Sequence, residues 1–154
     1  MVQLDVIDPH EKGGYVLLVR LKEGSEIRIG KLGTTQYDPG YYAYVGSAMR
    51  GLKQRILRHL RKEKKLHWHI DYLLEQANVS NVIVCKSGNS IECDIADAIG
   101  TMYNVIKGFG SSDCKCTGHL FYSPFSFSDK IMKKLQSIGM KPSLIPVTNG
   151  SGTL

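Results

Sequence analysis

The sequence predicts an α/β (α+β) fold in which a small, mainly antiparallel central sheet is flanked by helices. Short β-type runs separated by turn residues fill the first third of the chain, which favours pairing between neighbouring strands. From Leu52 onward, apolar residues recur every three or four positions, which indicates amphipathic helices. A chain of 154 residues can bury a core of its own. We therefore expect a single domain over residues 1–147, followed by a flexible C-terminal tail over residues 148–154.

The N-terminal part is predicted to form a three-stranded antiparallel meander. The run 15–21 is almost entirely apolar, which is typical of a central strand. Glycine and proline in the segment 31–40 indicate a loop before the last strand. The predicted segments are strand 15–21, turn 22–25, strand 26–29, loop 31–40, strand 41–45 and a turn at residues 46–47.

Helices dominate the remainder of the prediction. On the first helix, a rotation of 100° per residue places Arg55 and His59 on one flank of the apolar stripe, whereas Arg58 and Arg61 point toward water. The last helix is expected to begin at a Ser128 cap and end at Gly139. Between and after these lie helix 66–77, strand 79–85, helix 91–106, loop 108–118, strand 119–122 and an edge strand over 144–147.

Positive charge is concentrated beside the first helix. The formal net charge is +6, and eight of the 20 Lys and Arg residues fall within residues 50–65. Such clustering is typical of a surface that binds nucleic acid, although a solvated helix face would look the same. Trp68 is a candidate for stacking on an unpaired base, or else a packing residue. The candidate phosphate contacts are Arg50, Lys53, Arg58, Arg61, Lys62, Lys64 and Lys65.

The four cysteines are expected to be reduced, because the N-terminus has no export signal. Cys85 and Cys93 lie in apolar patterns and are interpreted as small core residues. A single Cys-x-Cys-x-x-His run lacks the paired knuckles of a strong zinc site, so we do not expect zinc there. The loop is instead expected to line a cleft and to approach substrate or metal. Its candidate residues are Ser112, Asp113, Cys114 and His119.

Four residues on predicted neighbouring elements have the chemistry that phosphodiester hydrolysis requires. Tyr15 and Tyr44 lie on adjacent strands, Arg55 follows on the first helix, and Glu92 lies on a later one. Hydrolysis needs a base, a cation for the phosphoryl oxygens and usually a carboxylate-bound metal. A tyrosine with a pKa of about 10 acts as a base only beside a cation or a metal-bound water. Glu92 is also explained as a first-turn acid that answers the helix dipole.

These residues, in this order, resemble the motifs of the GIY-YIG nuclease superfamily. The resemblance rests on Gly13-Gly14-Tyr15, Tyr44-Val45-Gly46-Ser47, Arg55 with His59, and Glu92, and it spans about residues 13–106. It implies hydrolysis of DNA with one divalent ion, Mg²⁺ or Mn²⁺. It also implies Tyr15 as general base or water-positioning residue, assisted by a hydrogen bond from Tyr44. Arg55 would clamp the scissile phosphate, Glu92 would bind the metal, and His59 would support the phosphate or the leaving oxygen.

The whole chain looks like a prokaryotic branch of that superfamily, some members of which are joined to endonuclease-III-type DNA repair glycosylases. The runs His67-Trp68-His69-Ile70-Asp71 and residues 108–114 carry this closer resemblance. Gly14 and the long segment between Tyr15 and Tyr44 depart from the compact motif.

The leading hypothesis is a metal-dependent DNA endonuclease that acts in DNA repair. The alternative is a non-catalytic nucleic-acid-binding module that retains the nuclease fold, and RNA is a less favoured substrate than DNA. We expect a cytoplasmic protein without a membrane partner, because no apolar run reaches the roughly 18 residues of a membrane span. A repair-enzyme partner is compatible with the resemblance, and the oligomeric state is left open.

Overall fold

The computed structural model describes residues 4–111 and 114–147. Within these ranges the chain forms eight strands and four α-helices, together with short 3₁₀ turns at Leu4–Val6 and Gly30–Leu32. The strands are β1 (Gly13–Leu21), β2 (Ser25–Ile29), β3 (Gly33–Tyr37), β4 (Gly40–Ala48), β5 (Asn78–Lys86), β6 (Asn104–Val105), β7 (Leu120–Ser123) and β8 (Ser143–Pro146). The helices are α1 (Leu52–Leu60), α2 (His69–Leu74), α3 (Glu92–Gly100) and α4 (Ser128–Ser137).

The central sheet is antiparallel throughout the described residues and has the order β6-β7-β4-β1-β5-β8. Strand β1 lies in the middle and is buried on both faces, as its apolar sequence predicts. Alternate residues of β1 face opposite cores. Tyr15 and Leu17 face the core formed with α1 and α2, whereas Val16 and Leu18 face the core formed with α3 and α4. The predicted α+β fold with a mainly antiparallel sheet is confirmed.

The predicted three-stranded meander is wrong. Strand β1 pairs directly with β4, while β2 and β3 form a separate hairpin inserted between them. Ile27 and Ile29 are buried and turn this hairpin toward α2. The segment predicted as a loop contains β3, whose first four residues are exposed and polar or glycine, so that its sequence lacks the alternation of a half-buried strand.

The predicted turn at residues 46–47 is also wrong, because β4 continues through it to Ala48. Gly46 pairs with Tyr15, and Ser47 pairs with Gly14. A Cβ atom at Gly46 would overlap the Tyr15 ring, so this glycine provides room for a side chain instead of a bend. The chain turns later, and Gly51 there has a positive φ of 141°.

Several elements have bounds that differ from those predicted. Helix α2 starts late because the Asp71 carboxylate accepts hydrogen bonds from the backbone N–H groups of His67 and Trp68, which fixes its first turn. Helix α3 ends at Gly100, because Asn104–Val105 pairs with β7. Helix α4 begins at Ser128 and its N-cap residue is Phe127, so the predicted Ser128 cap is wrong. The predicted edge strand is confirmed as β8, next to β5.

None of the helices in the described part of the chain is both long enough and apolar enough to cross a membrane. The predicted tail over residues 148–154 lies outside the described residues.

Candidate functional site

Tyr15 is the most deeply enclosed of the predicted site residues. Its side chain is 1% exposed and lies on the sheet face covered by α1. Its hydroxyl group and Nε2 of His59 are 2.7 Å apart and share a hydrogen bond. Burial raises the pKa of Tyr15 well above its ordinary value, and the Arg55 guanidinium opposes this rise. The hydroxyl group is therefore protonated at neutral pH.

His59 is buried, which differs from the boundary position predicted by the helical wheel. It is 2% exposed, and its Nδ1 atom has no hydrogen-bond partner among the described residues. Burial lowers the pKa of His59 to about 3, so the imidazole is neutral at physiological pH. A neutral ring bonded to Tyr15 positions that hydroxyl group and is not a cationic phosphate contact. His59 therefore supports Tyr15, and the expected contact of His59 with a phosphate or leaving oxygen stays a prediction.

Tyr44 lies on the same sheet face, with its ring against His59 and Phe109. The ring centroids are 6.1 Å and 6.2 Å apart, both in edge-on geometry. A Cβ atom at Gly110 would lie 2.9 Å from the Tyr44 ring, so this loop glycine permits the close contact. Burial raises the pKa of Tyr44. Among the described residues, the Tyr15 hydroxyl group bonds to His59 and not to Tyr44, contrary to the expected tyrosine pair.

Arg55 is half-buried at the edge of this cluster. Its Nη1 atom donates a hydrogen bond of 3.1 Å to the carbonyl oxygen of Ser47. Its guanidinium carbon lies 4.5 Å from the centroid of the Trp68 ring, which is cation–π geometry. The positive charge lowers the pKa of both Tyr15 and Tyr44, which indicates electrostatic contact with both hydroxyl groups. The guanidinium group keeps further N–H donors for an anion.

Glu92 is the first residue of α3, and its side chain is 31% exposed. One carboxylate oxygen lies 3.9 Å from Nδ1 of His119. The charge of Glu92 raises the pKa of Tyr15 and Tyr44, so the carboxylate lies within electrostatic range of the tyrosines. Glu92 thus begins a helix and lies near His119, and its expected role as a metal ligand stays a prediction. Tyr15, Tyr44 and His59 form one buried cluster with Arg55 at its edge, whereas the contact that Glu92 makes is with His119.

Some basic residues of the segment 50–65 are paired with other groups of the protein, and others are exposed. Arg58 makes a bidentate ion pair with Asp71, with both distances 3.0 Å, although it was predicted to point toward water. Lys53 pairs with Asp5, and Lys64 donates to backbone carbonyl groups at the end of α1. The exposed basic residues are Arg50, Arg61, Lys62 and Lys65.

Trp68 packs inside this arrangement. Both Arg55 and Arg58 lie over its ring, the second at 4.3 Å from the centroid, and the His59 ring is 5.6 Å away. These contacts favour the packing interpretation over stacking on a base. Trp68 limits the orientations available to Arg55.

A second cluster, which the sequence did not predict as a unit, lies beside Glu92. Cys93, Cys114, Cys116 and His119 each offer one ligand atom, and these four atoms lie within 4.8 Å of one another. The four residues could hold a metal ion, and three thiolates with an imidazole suit zinc better than magnesium. The expectation against zinc rested on the lack of paired knuckles in the Cys-x-Cys-x-x-His run, and the structure adds Cys93 of α3 as a fourth possible ligand. Cys93 lies about twenty residues before Cys114, and no common spacing of zinc ligands links the two. The sequence therefore gave no local indication that Cys93 belongs to this cluster.

The structure describes only some of the predicted loop residues. Cys114 and His119 belong to the cysteine cluster, and His119 also faces Glu92. Ser112 and Asp113 lie outside the described residues. Cys85 is 2% exposed in the core, as predicted, whereas Cys93 is only partly buried. Burial, with hydrogen bonds to the other two thiols of the cluster, raises the pKa of Cys116.

The fold and these side chains define an α+β protein with a buried tyrosine–histidine cluster, an arginine at its edge, and a potential metal-binding cluster next to Glu92. Residues 14–140 match the family model described as "Domain of unknown function DUF123", and because this match covers most of the chain, the protein belongs to that family. No curated protein and no solved structure gives a significant match.

Proposed function

We propose that this protein is a metal-dependent DNA endonuclease of the GIY-YIG type. The observation that carries the proposal is the grouping of Tyr15 and Tyr44 on one sheet face with Arg55 at the edge of their cluster. The charges of Arg55 and Glu92 both affect the pKa of the two tyrosines, which supports a role for Glu92 as well. A binding module would need a basic surface but not a buried tyrosine–histidine hydrogen bond with an arginine beside it. The grouping therefore favours chemistry over binding alone.

Arg55 is the residue suited to the scissile phosphate. It is half-buried, held by Ser47 and Trp68, and retains free donors, so little ordering is needed when an anion arrives. A fixed guanidinium group that neutralises charge developing on phosphoryl oxygens is a major contribution to catalysis.

Tyr15 is suited to hold the attacking water. Its hydroxyl group is neutral, since burial raises its pKa, so it is not a preformed base. If Nε2–H of His59 donates to the Tyr15 oxygen, the phenolic proton of Tyr15 is free to point toward another group. The Nδ1 atom, which has no partner among the described residues, is then an acceptor. An unpaired acceptor is less costly to bury than an unpaired donor. This tautomer lets Tyr15 orient a water molecule while Arg55 favours partial negative charge on its oxygen.

Glu92 would hold the divalent ion, Mg²⁺ or Mn²⁺. One partly exposed carboxylate suits magnesium, which takes one or two protein carboxylates and keeps water and substrate oxygens as its other ligands. The ion would supply Lewis-acid stabilisation of the phosphoryl group. Arg55 would position the phosphate, Tyr15 would position the water molecule, and His59 would hold the Tyr15 hydroxyl group.

DNA is the proposed substrate, because the net charge is +6 and the segments that flank α1, the helix of Arg55, carry four exposed basic residues, Arg50, Arg61, Lys62 and Lys65. The resemblance to a branch joined to repair glycosylases supports a place in DNA repair and a cytoplasmic location. RNA is the less favoured substrate. A binding module without catalysis is the competing function.

A nicking assay on plasmid, flap and branched DNA with Mg²⁺ or Mn²⁺ tests the proposal. We expect Arg55→Ala and Glu92→Gln each to lower the cleavage rate by about 10²-fold or more, with a smaller loss of DNA binding that is greater for Arg55→Ala. The matched controls are Arg28→Ala, an exposed arginine of β2, and Asp94→Asn, an exposed acid of α3; both should cleave like the wild type. Metal-independent binding without cleavage of any substrate would establish the binding module instead.

A further inference from the structure

We propose that Cys93, Cys114, Cys116 and His119 form a structural zinc site that fastens the loop 106–119 to the start of α3. Cys93 is the second residue of α3, the other two cysteines lie in the loop, and His119 immediately precedes β7. This site is separate from the divalent ion proposed at Glu92 and needs no nuclease activity to exist.

The spacing of the ligand atoms fits a tetrahedral ion. Zinc bonds of about 2.3 Å to sulfur and about 2.0–2.1 Å to nitrogen place two sulfur atoms about 3.8 Å apart and sulfur and nitrogen about 3.6 Å apart. Sγ of Cys114 and Nε2 of His119 are 3.4 Å apart, and all four ligand atoms lie within 4.8 Å of one another. Four protein ligands complete the coordination, which is typical of a structural site.

The loop has reason to need such a link. It is a long connection between β6 and β7 with neither helix nor strand in its described part, and connections of this length without their own structure are uncommon in compact domains. Phe109 anchors its beginning in the core, and His119 donates its backbone N–H to the carbonyl of Phe109. Between Phe109 and His119, the side chains of Cys114 and Cys116 lie next to Cys93 of α3, where an apolar contact would otherwise hold a loop to a helix.

His119 joins this cluster to Glu92. Its Nε2 atom faces Cys114, while Nδ1 lies 3.9 Å from the carboxylate. An imidazole bound to metal through Nε2 keeps its proton on Nδ1, the nitrogen that faces Glu92. In many metal sites a carboxylate that is not itself a ligand orients a metal-bound histidine in this way. A zinc ion here would therefore fix the tautomer of His119 and restrain the Glu92 side chain.

Metal content gives the first test. Protein produced in zinc-supplemented medium and purified without chelators should contain about one zinc ion per chain by mass spectrometry. Cys116→Ser should retain less than a fifth of that zinc. Cys85→Ala removes the buried thiol of β5, outside the cluster, and should retain all of it. Zinc-free wild type, or Cys116→Ser with full zinc, would overturn the proposal.

Cobalt substitution tests the same site without depending on a variant that folds. Apo wild type titrated with Co²⁺ should develop the thiolate charge-transfer and tetrahedral d–d absorption bands, saturating at about one equivalent. Glu92→Gln should give the same spectrum, since Glu92 is a neighbour and not a ligand, and this separates the zinc site from the proposed nuclease site. Absence of these bands, disulfide formation in place of metal uptake, or loss of the spectrum in Glu92→Gln would contradict the four-ligand assignment.

Discussion

At the scale of single residues, Gly46 and Gly110 leave the space that the rings of Tyr15 and Tyr44 occupy. A Cβ atom at Gly46 would overlap the Tyr15 ring, and one at Gly110 would crowd Tyr44. The Tyr15 ring cannot move away easily, because its hydroxyl group is bonded to the buried His59. The positions of both tyrosines therefore depend on residues that have no chemistry of their own.

Gly46→Ala should consequently damage both stability and the proposed activity. We expect a loss of about 1–3 kcal/mol in the free energy of unfolding, the usual cost of an overpacked core, measured by urea denaturation. Gly88→Ala is the matched control, because a Cβ atom there meets nothing within 4 Å, and its effect should stay within about 0.5 kcal/mol. Equal stability of the two variants would show that the Tyr15 ring is not held as described.

The contact between Gly46 and Tyr15 also explains why the predicted turn at residues 46–47 was wrong. A glycine followed by serine after a β-type run predicts a turn, and the actual reason for the glycine is a tyrosine 31 residues earlier in the pairing strand. Tyr15, Tyr44, Arg55 and Glu92 could be proposed from the sequence because their residue types and order resemble the GIY-YIG motifs, and their roles stay predictions. The burial of His59 was missed, because it depends on how α1 packs against the sheet.

At the scale of elements, α2 is held by one buried ion pair. The Asp71 side chain is fully buried and accepts hydrogen bonds from Arg58 and from the backbone N–H groups of His67 and Trp68. These bonds lower the pKa of Asp71 despite its burial. Because Arg58 and Arg55 both lie over Trp68, the ion pair also supports the position of Arg55.

Asp71→Ala should therefore destabilise the protein by about 3–5 kcal/mol, since it leaves Arg58 without its buried partner. Urea denaturation followed by fluorescence measures this directly, because Trp68 is the only tryptophan in the sequence. Glu75→Ala, an exposed acid just beyond the end of α2, is the control and should change stability by less than about 0.5 kcal/mol. Replacing the pair together, as Arg58→Met with Asp71→Leu, should recover much of the loss; a double variant as unstable as Asp71→Ala would argue against the ion pair as the cause.

At the scale of the whole molecule, the sheet separates two environments. Helices α1 and α2 cover the face that carries the tyrosines, whereas α3 and α4 cover the other. The sequence predicted antiparallel pairing and flanking helices from local periodicity. The strand order and the meeting of Cys93 with Cys114 and Cys116 depend on contacts between distant segments, which periodicity does not encode.

This separation predicts which face DNA would occupy. Each phosphate neutralised by a lysine or arginine contributes about −0.9 to the slope of log Kobs against log salt concentration. Lys62 is exposed just after α1, a helix on the face that carries Tyr15 and Tyr44, so Lys62→Ala should reduce the magnitude of this slope by about one. Lys133→Ala, an exposed lysine on α4 that covers the opposite face, should leave it unchanged. Equal reductions in the two variants, measured by fluorescence anisotropy from 50 to about 200 mM salt, would mean that binding is diffuse and that the face beside Arg55 is not the nucleic-acid surface.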